Sequence, residues 1–495
     1  MSRTFARMRE LDEVTREQFE EWETALRDAL LHVQDDLAGR DFPVIVVLDG
    51  DDFTGCEHAF ELLHAWFDAR YLRAEAFEQV DGASTDSVWM QRWWSLLPPR
   101  GTIGLWLRSW SMSTVTQRVL DRIDDAQLDA RIRDIVATEQ MLAADGAVFV
   151  KLWVRVPKKT LARRLEQARE GDEWRVQCED ELALDSWKQF QDVAERVVDA
   201  TDQPHAPWIV VDGRHGRSRS VAIARTIAEV VRARLDEERK EPAEPPPDRL
   251  AASPTTMLDR VEQLEPMDDG DYERVLLRWQ AKLSRLHREA FARGIAAVLV
   301  FEGQDAAGKG GAIRRMTRAL DAPKYRIFPI SAPDDRERSR HWLWRFWIRL
   351  PRLGRVSVFD RSWYGRVLVE RVEGFAKRAE WRRAYGEIEA FEQQITAQGA
   401  VLVKVWLHVS PEEQARRFDE RSQVSFKRYK IGPDDWRNRA RAFDYEAAAV
   451  EMFESTSGAA PWHVVPADDK NRARIEVIKR VCAAYEERLR SARDV

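Results

Sequence analysis

The chain is written twice, and that repeat constrains its fold more than any other feature. VIVVLDGDDFTGCEHA (44–59) and VLVFEGQDAAGKGGA (298–312) align at an offset of 253 residues. The same offset sets LRSW (107–110) on DRSW (360–363), GAVFVKLWVRV (146–156) on GAVLVKVWLHV (399–409), and Arg163-Arg164 on Arg416-Arg417. Near the ends the offset is 254, and Ala206-Pro-Trp208 meets Ala460-Pro-Trp462. Matches in one register over about 160 residues imply an internal duplication, so the halves should share one fold. Between them ERKEPAEPPPDRLAASP (238–254) has five prolines and little apolar content, the composition of a linker. The expected organisation is a first domain over 1–233, a linker over 234–266 and a second domain over 267–495.

Each half alternates apolar strand-like runs with helical stretches. In the second half strands are expected near 295–302, 325–330, 355–360, 400–408 and 462–465. That alternation calls for an α/β architecture, a mostly parallel sheet covered by helices on both faces. Trp342, Leu343, Phe346 and Leu350 are spaced as the apolar face of an amphipathic helix within 336–355. Arg-rich helical sequence around 411–450 would stand over the loop end of the sheet as a lid. Arg417 and Arg421 lie four apart on one face there, and Lys427 and Lys430 add further cations.

The apolar run GIAAVLVF leads directly into Gly303-x-Asp305-x-x-Gly308-Lys309-Gly310-Gly311. A strand, a glycine-rich turn and a helix form a phosphate cradle. Gly303, Gly308, Gly310 and Gly311 let backbone N–H groups turn inward, and Lys309 puts a cation on terminal phosphates at a helix N-terminus. Gly310 stands where a Walker A loop has Ser or Thr, so the hydroxyl that usually holds Mg²⁺ is missing and carboxylates must replace it. Asp305 is the first candidate. The second is Asp360, which follows the apolar run at 356–359 and opens DRSWYGR, the place where ligands of open α/β sheets bind. Arg361 beside it would neutralise charge on a transferring phosphoryl group. From Ile313 to Arg383 there are 19 Lys or Arg against 8 Asp or Glu, enough for a basic track along a polyanion, although salt-bridged helix surfaces also absorb such charge.

The first half has lost these groups. Gly50, Asp52 and Gly55 keep the outline of the loop, but Cys56 replaces Lys309, Glu57 replaces Gly310 and Leu107 replaces Asp360. DEWRVQ (172–177) is poorer in cations than SFKRYK. A cradle with Glu and without Lys repels phosphate, and Leu cannot bind a metal, so residues 1–233 read as a chemically silent copy.

The 495 residues, 44% hydrophobic and 33% charged, are ordinary for a globular chain. A net charge of −6 argues against general nucleic-acid binding. No apolar run approaches the length of a membrane span and the N-terminus has no signal-like core, so a cytoplasmic protein with no membrane partner is expected. Cys56, Cys178 and Cys482 are too scattered for a disulfide framework or a zinc site.

EGQDAAGKGGAIRR, FDRSWYGRVLVERVEGF, FKRYKIGPDDWRNR and PWHVVPADDKNRAR together resemble the polyphosphate kinase 2 family, and the tandem plan resembles its two-domain branch. The resemblance implies two P-loop-kinase-like, thymidylate-kinase-like three-layer α/β/α domains with a helical lid, Mg²⁺ as cofactor, and inorganic polyphosphate as donor to AMP, giving ADP. It implies that Asp305 and Asp360 form the acidic pair at the metal, that Lys309 and Arg361 clamp phosphate, and that the lid cations touch the transferring phosphates. A polyphosphate-dependent nucleoside diphosphate kinase and an ATP-dependent kinase on the same fold remain as alternatives, and self-association is left open.

Overall fold

The computed structural model describes residues 2–77, 88–171, 178–237, 258, 261–423 and 441–492. By contact density it divides into two units. The first comprises Met1–Ala83, Arg92–Lys240 and Pro333–Trp344, the second Ser84–Gln91, Glu241–Ala332 and Arg345–Val495.

The first unit is built on a five-stranded sheet of β1 (Val44–Gly50), β2 (Leu72–Ala76), β3 (Ile103–Leu107), β4 (Val148–Arg155) and β5 (Trp208–Asp212). Its order is β2-β3-β1-β4-β5 and every pairing is parallel. β1 is buried along its whole length, so its residues form a continuous apolar run rather than an alternating one. One face is covered by α1 (Arg16–Leu37), α2 (Phe53–Trp66) and, from the end of the unit, α8 (Gly216–Asp236). On the other face lie α3 (Trp110–Val119), α4 (Asp125–Ala144) and α7 (Trp187–Thr201), while α5 (Lys158–Gly171) and α6 (Cys178–Asp185) follow β4.

The second unit repeats the plan with β6 (Ala297–Gly303), β7 (Tyr325–Pro329), β8 (Val356–Asp360), β9 (Val401–His408) and β10 (Trp462–Pro466) in the order β7-β8-β6-β9-β10, again all parallel. All five strands fall within a residue or two of their expected places. The core on one face joins α9 (Asp269–Ala292), α10 (Lys309–Thr317) and α14 (Lys470–Ser491). α11 (Arg378–Ala397), α12 (Pro411–Gln423) and α13 (Ala442–Ser455) complete the unit.

The tryptophans explain the second face of each sheet. Trp363 lies 5.0 Å from Phe391 and 5.4 Å from Phe359 by ring centroids, and Trp406 and Trp462 each lie 5.4 Å from Phe453. In the first unit Trp106, Trp110, Trp153 and Trp208 make the corresponding edge-to-face layer. Such contacts add stability beyond area burial, roughly 0.5–1.5 kcal/mol a pair.

The single amphipathic helix expected within 336–355 does not form. Asp335–Arg338 and Trp344–Trp347 are separate four-residue helices. Leu343, Trp344, Phe346, Trp347 and Leu350 are all buried, with Arg345, and Trp342 is half-buried. A helix carrying apolar residues so densely has no polar face to present to water, and Pro351 ends it in any case.

Candidate active site

Strand β6 ends at Gly303, where the chain runs against β9. A Cβ there would lie 2.3 Å from the carbonyl oxygen of Leu407, and φ is +135°, so only glycine fits. Gln304 then fastens the turn, its side-chain oxygen accepting the Val409 N–H at 2.8 Å, and Gln414 donates to the Asp305 carbonyl at 3.0 Å. Ala306 is held in the left-handed region at φ 65°, which costs a non-glycine residue roughly 1–2 kcal/mol. Gly308, φ 103°, is the N-cap of α10 and offers no capping side chain; the Gly311 and Ala312 N–H groups donate to its carbonyl, and those of Lys309 and Gly310 are left for a ligand.

The Lys309 ammonium folds back on its own loop, donating to the carbonyls of Gly303 at 2.7 Å and Gln304 at 3.1 Å. Burial and the neighbouring Arg361 charge lower its pKa against the opposing pull of Asp305, Asp360 and Glu302. Strand pairing brings the second acid across, because Phe301 of β6 is in register with Asp360 of β8. The chain then turns through Arg361, also left-handed at φ 65°, whose guanidinium donates to Asp305 at 2.9 Å. Burial disfavours the Arg361 charge, but Asp305, Glu302 and Asp360 outweigh it and hold the pKa above its ordinary value. Asp360 borders the cavity, and among the described residues its carboxylate accepts no hydrogen bond.

Glu302 was not singled out in the sequence. It is buried and accepts the Ser362 hydroxyl at 2.8 Å, which ties the end of β6 to the turn carrying Asp360 and Arg361. The repeat carried the signal for it, since Asp49 accepts the Ser109 hydroxyl at 2.6 Å in the first unit.

Above the loop lies a cavity of about 550 Å³ lined by six cations, Lys309, Arg314, Arg361, Arg417, Lys470 and Arg474, against three acids, Asp305, Asp360 and Glu420. Lys470 and Arg474 come from the first turns of α14, far along the chain from the loop. Sequence reasoning missed both. Much of the basic stretch 313–383 is spent elsewhere: Arg345 donates to the Ser331 carbonyl, Arg355 to Pro323, and Arg371 and Arg383 pair with Glu451 and Glu387. Only Arg314 and Arg361 of that stretch line the cavity.

Arg417 corrects the picture of an open lid cation. Its side chain is 2% exposed, and its nitrogens are engaged by Glu413 and by the carbonyls of Ala306, Ala467 and Asp468. It touches the cavity wall but is committed to bracing the loop against the end of β10. Arg421 falls on the helix predicted for it, α12. Its side chain, like Lys427 and Lys430, lies outside the described residues.

The corresponding place in the first unit is closed. Cys56 is buried and burial pushes its thiol well above the usual range. Leu107 ends β3 at 2% exposure. At the N-terminus of α2, where a phosphate would sit, the Asp180 carboxylate accepts the N–H groups of Phe53 at 2.7 Å and Thr54 at 3.0 Å and the Thr54 hydroxyl at 2.5 Å. The chain has put its own anion in the seat. Burial, with the nearby Asp52 charge, raises the Asp180 pKa to about 6.

The family model described as polyphosphate kinase 2 matches residues 13–239 and again 266–493. A protein of Pseudomonas syringae pv. tomato named polyphosphate:AMP phosphotransferase is 38% identical over 475 residues, 93% of this chain and 94% of its own. ADP-polyphosphate phosphotransferase 2 of Rhizobium meliloti is 41% identical over 209 residues, 42% of this chain and 68% of its own. Among solved structures, a chain from Pseudomonas aeruginosa described as a polyphosphate kinase 2 superposes with a TM-score of 0.84 at 36% identity, covering 97% of this chain and 98% of that one. With two matches to one family model spanning nearly all of its length, and the P-loop, the acid of β8 and the parallel sheets in place, the chain belongs to the polyphosphate kinase 2 family.

Proposed function

We propose that the chain transfers the terminal phosphoryl group of inorganic polyphosphate to AMP, giving ADP and a polyphosphate one unit shorter, in the cavity of the second unit. The observation that carries this reading is the six-cation cavity over an uncapped helix N-terminus. A site so rich in cations suits a linear polyanion better than a purine and ribose. The donor is therefore polyphosphate rather than ATP. The full-length likeness to a polyphosphate:AMP phosphotransferase, against a likeness over 209 residues to an ADP-polyphosphate enzyme, favours AMP as acceptor.

A phosphate oxygen of AMP, held about 3 Å from the terminal phosphorus, attacks in line as the bond from that phosphorus to the bridging oxygen of the chain breaks. Lys309, Arg361 and the N–H groups of α10 stabilise the charge on the transferring group, and Lys470 and Arg474 hold the donor. Placing fixed charge where it develops is the largest lever available to such a site. Asp360, without a hydrogen-bond partner among the described residues and beside Gly310, fits a divalent cation, and Asp305 is the second donor. Mg²⁺ is bound by one or two carboxylates with substrate phosphates and water, and when bound it neutralises phosphate oxygens.

The first unit does no chemistry on this reading, since its helix N-terminus is filled by Asp180 and its metal acid is a leucine. The test is chromatography of reactions holding polyphosphate, Mg²⁺ and either AMP or ADP, with ATP replacing polyphosphate in a third. ADP formed from AMP and polyphosphate is expected. Rapid ATP formation from ADP with AMP untouched would move the acceptor assignment, and transfer from ATP alone would remove the donor assignment.

A further inference from the structure

We propose that the first unit carries a phosphate-binding site of its own, built on the N-terminus of α8 and the buried Arg219 rather than on the closed loop. A cavity of about 430 Å³ opens there, with Val14, Phe19 and Leu62 as apolar wall and Arg214, Arg217 and Arg219 as cations. That volume lies within the ~300–1,000 Å³ of small-molecule sites. His58 and His215 border it too, and Glu13 is its one acid.

Two independent observations point to an anion. The first is the helix end. α8 is 21 residues long and its N-cap, His215, makes no side-chain hydrogen bond to the first turn, so the leading N–H groups of the helix remain for a ligand. Gly216, exposed, leaves that approach unobstructed.

The second is Arg219. It is 4% exposed, its Nε is buried with no hydrogen-bond partner, and its ion-pair neighbour Asp52 is 3.6 Å away and more closely engaged by Arg164. Its Nη2 would lie 3.8 Å from a Cβ on Gly216, which places the guanidinium under the first turn of α8. A buried donor without a partner costs roughly 1–3 kcal/mol, more when charged. Nη2, which makes no hydrogen bond among the described residues, is the donor that a phosphate oxygen at the mouth of α8 would meet.

The duplication explains why such a site survives. At the offset of 254, Gly216 aligns with Lys470 and Ser220 with Arg474, so the same end of the same helix lends cations to the catalytic cavity of the second unit. In the first unit the loop has lost its lysine. The Arg219 guanidinium lies against that loop instead, with Nη1 2.5 Å from where a Cβ on Gly55 would stand. The recognised group is a phosphate, either the end of a polyphosphate chain or the phosphate of a nucleotide, and the site stands whichever acceptor the second unit uses.

The test is calorimetric titration of the full-length protein with inorganic tripolyphosphate, with AMP, and with adenosine as the phosphate-free control. Ser220→Asp places an acid on the cavity wall, and Arg219→Met removes the cation. In both variants one tripolyphosphate or AMP per chain should be lost, or bound at least about tenfold more weakly, a change of about 1.4 kcal/mol. Turnover at saturating substrates should stay at the wild-type value. Loss with tripolyphosphate alone assigns the site to polyphosphate ends, loss with AMP alone to nucleotides. Should Arg219→Met fail to fold because Asp52 loses a partner, Ser220→Asp decides alone. Unchanged stoichiometry and affinity for both phosphates in Ser220→Asp, or adenosine binding as well as AMP, overturns the proposal.

Discussion

Cys56 and Lys309 occupy one aligned position, a buried thiol in the first unit and an ammonium beside an open helix N-terminus in the second, and on the proposed function that difference separates a silent cradle from a working one. Lys309→Ala should lower kcat by roughly 10³-fold, the order for removing a principal charge contact from a site of preorganised donors. Steady-state rates checked against an unchanged melting temperature test this, and a near-normal rate would remove Lys309 from the chemistry. Asp180 gives a prediction at the same scale. Its pKa in the folded chain is raised from 3.8 to about 6, so the folded state binds the proton more tightly than the unfolded one. The stabilisation is present in full below the unfolded value and is lost as pH rises toward 6, with a total of roughly 3 kcal/mol at 1.36 kcal/mol per unit. Asp180→Asn, which cannot ionise, should therefore gain stability over the wild type between about pH 4 and pH 7. Denaturant midpoints measure it, and a difference independent of pH would show that Asp180 is not held in this way.

At the scale of elements, both units keep a buried ion pair on the aromatic face. Lys404 donates to Glu392 at 2.7 Å, and Glu392 also accepts from Trp363 at 3.0 Å and Tyr364 at 2.6 Å, which anchors the turn after Asp360. Lys151 and Glu139 repeat it at 2.6 Å, with Trp110 in place of Trp363. Its presence in both units, including the one with Cys56 and Leu107 in place of Lys309 and Asp360, marks it as a fold device. Lys404→Met should cost roughly 3–5 kcal/mol by leaving Glu392 buried and unpaired, whereas Lys404→Met with Glu392→Met should recover much of that. Thermal unfolding of the single and double variants checks it, and equal destabilisation by both would contradict the ion-pair account. Arg417 belongs here too. Arg417→Ala should lower the melting temperature as well as the rate, because it removes the brace on the Ala306 carbonyl. A loss of rate with full stability would instead make it a substrate contact.

Across the whole molecule, what was legible in the sequence was local or repeated. Gly303 and Gly308 announced the turn because only glycine adopts its backbone, the alternation of the second half located its five strands, and the alignment carried β1, β3, β4 and β5 of the first half but not β2, whose residues are mostly not buried. What was hidden depends on pairings distant in sequence. Lys470 and Arg474 reach the cavity only because α14 packs beside α10, and Arg417 is consumed by carbonyls that no spacing rule reveals. Asp180 sits 126 residues from Thr54, in a stretch whose motif value is nil. Among the described residues no helix is long and apolar enough to cross a membrane.

On the proposed function, one unit of the two transfers phosphate from polyphosphate to AMP. The most direct measurement is the initial rate of ADP formation from AMP and polyphosphate in the intact chain carrying Asp360→Asn. A fall of roughly 10²–10³-fold is expected, not rescued by excess Mg²⁺ because the ligand itself is weakened, and with no remainder from the other unit, whose aligned residue is Leu107. A variant retaining about half of the wild-type rate would contradict it, since that remainder could only come from the first unit.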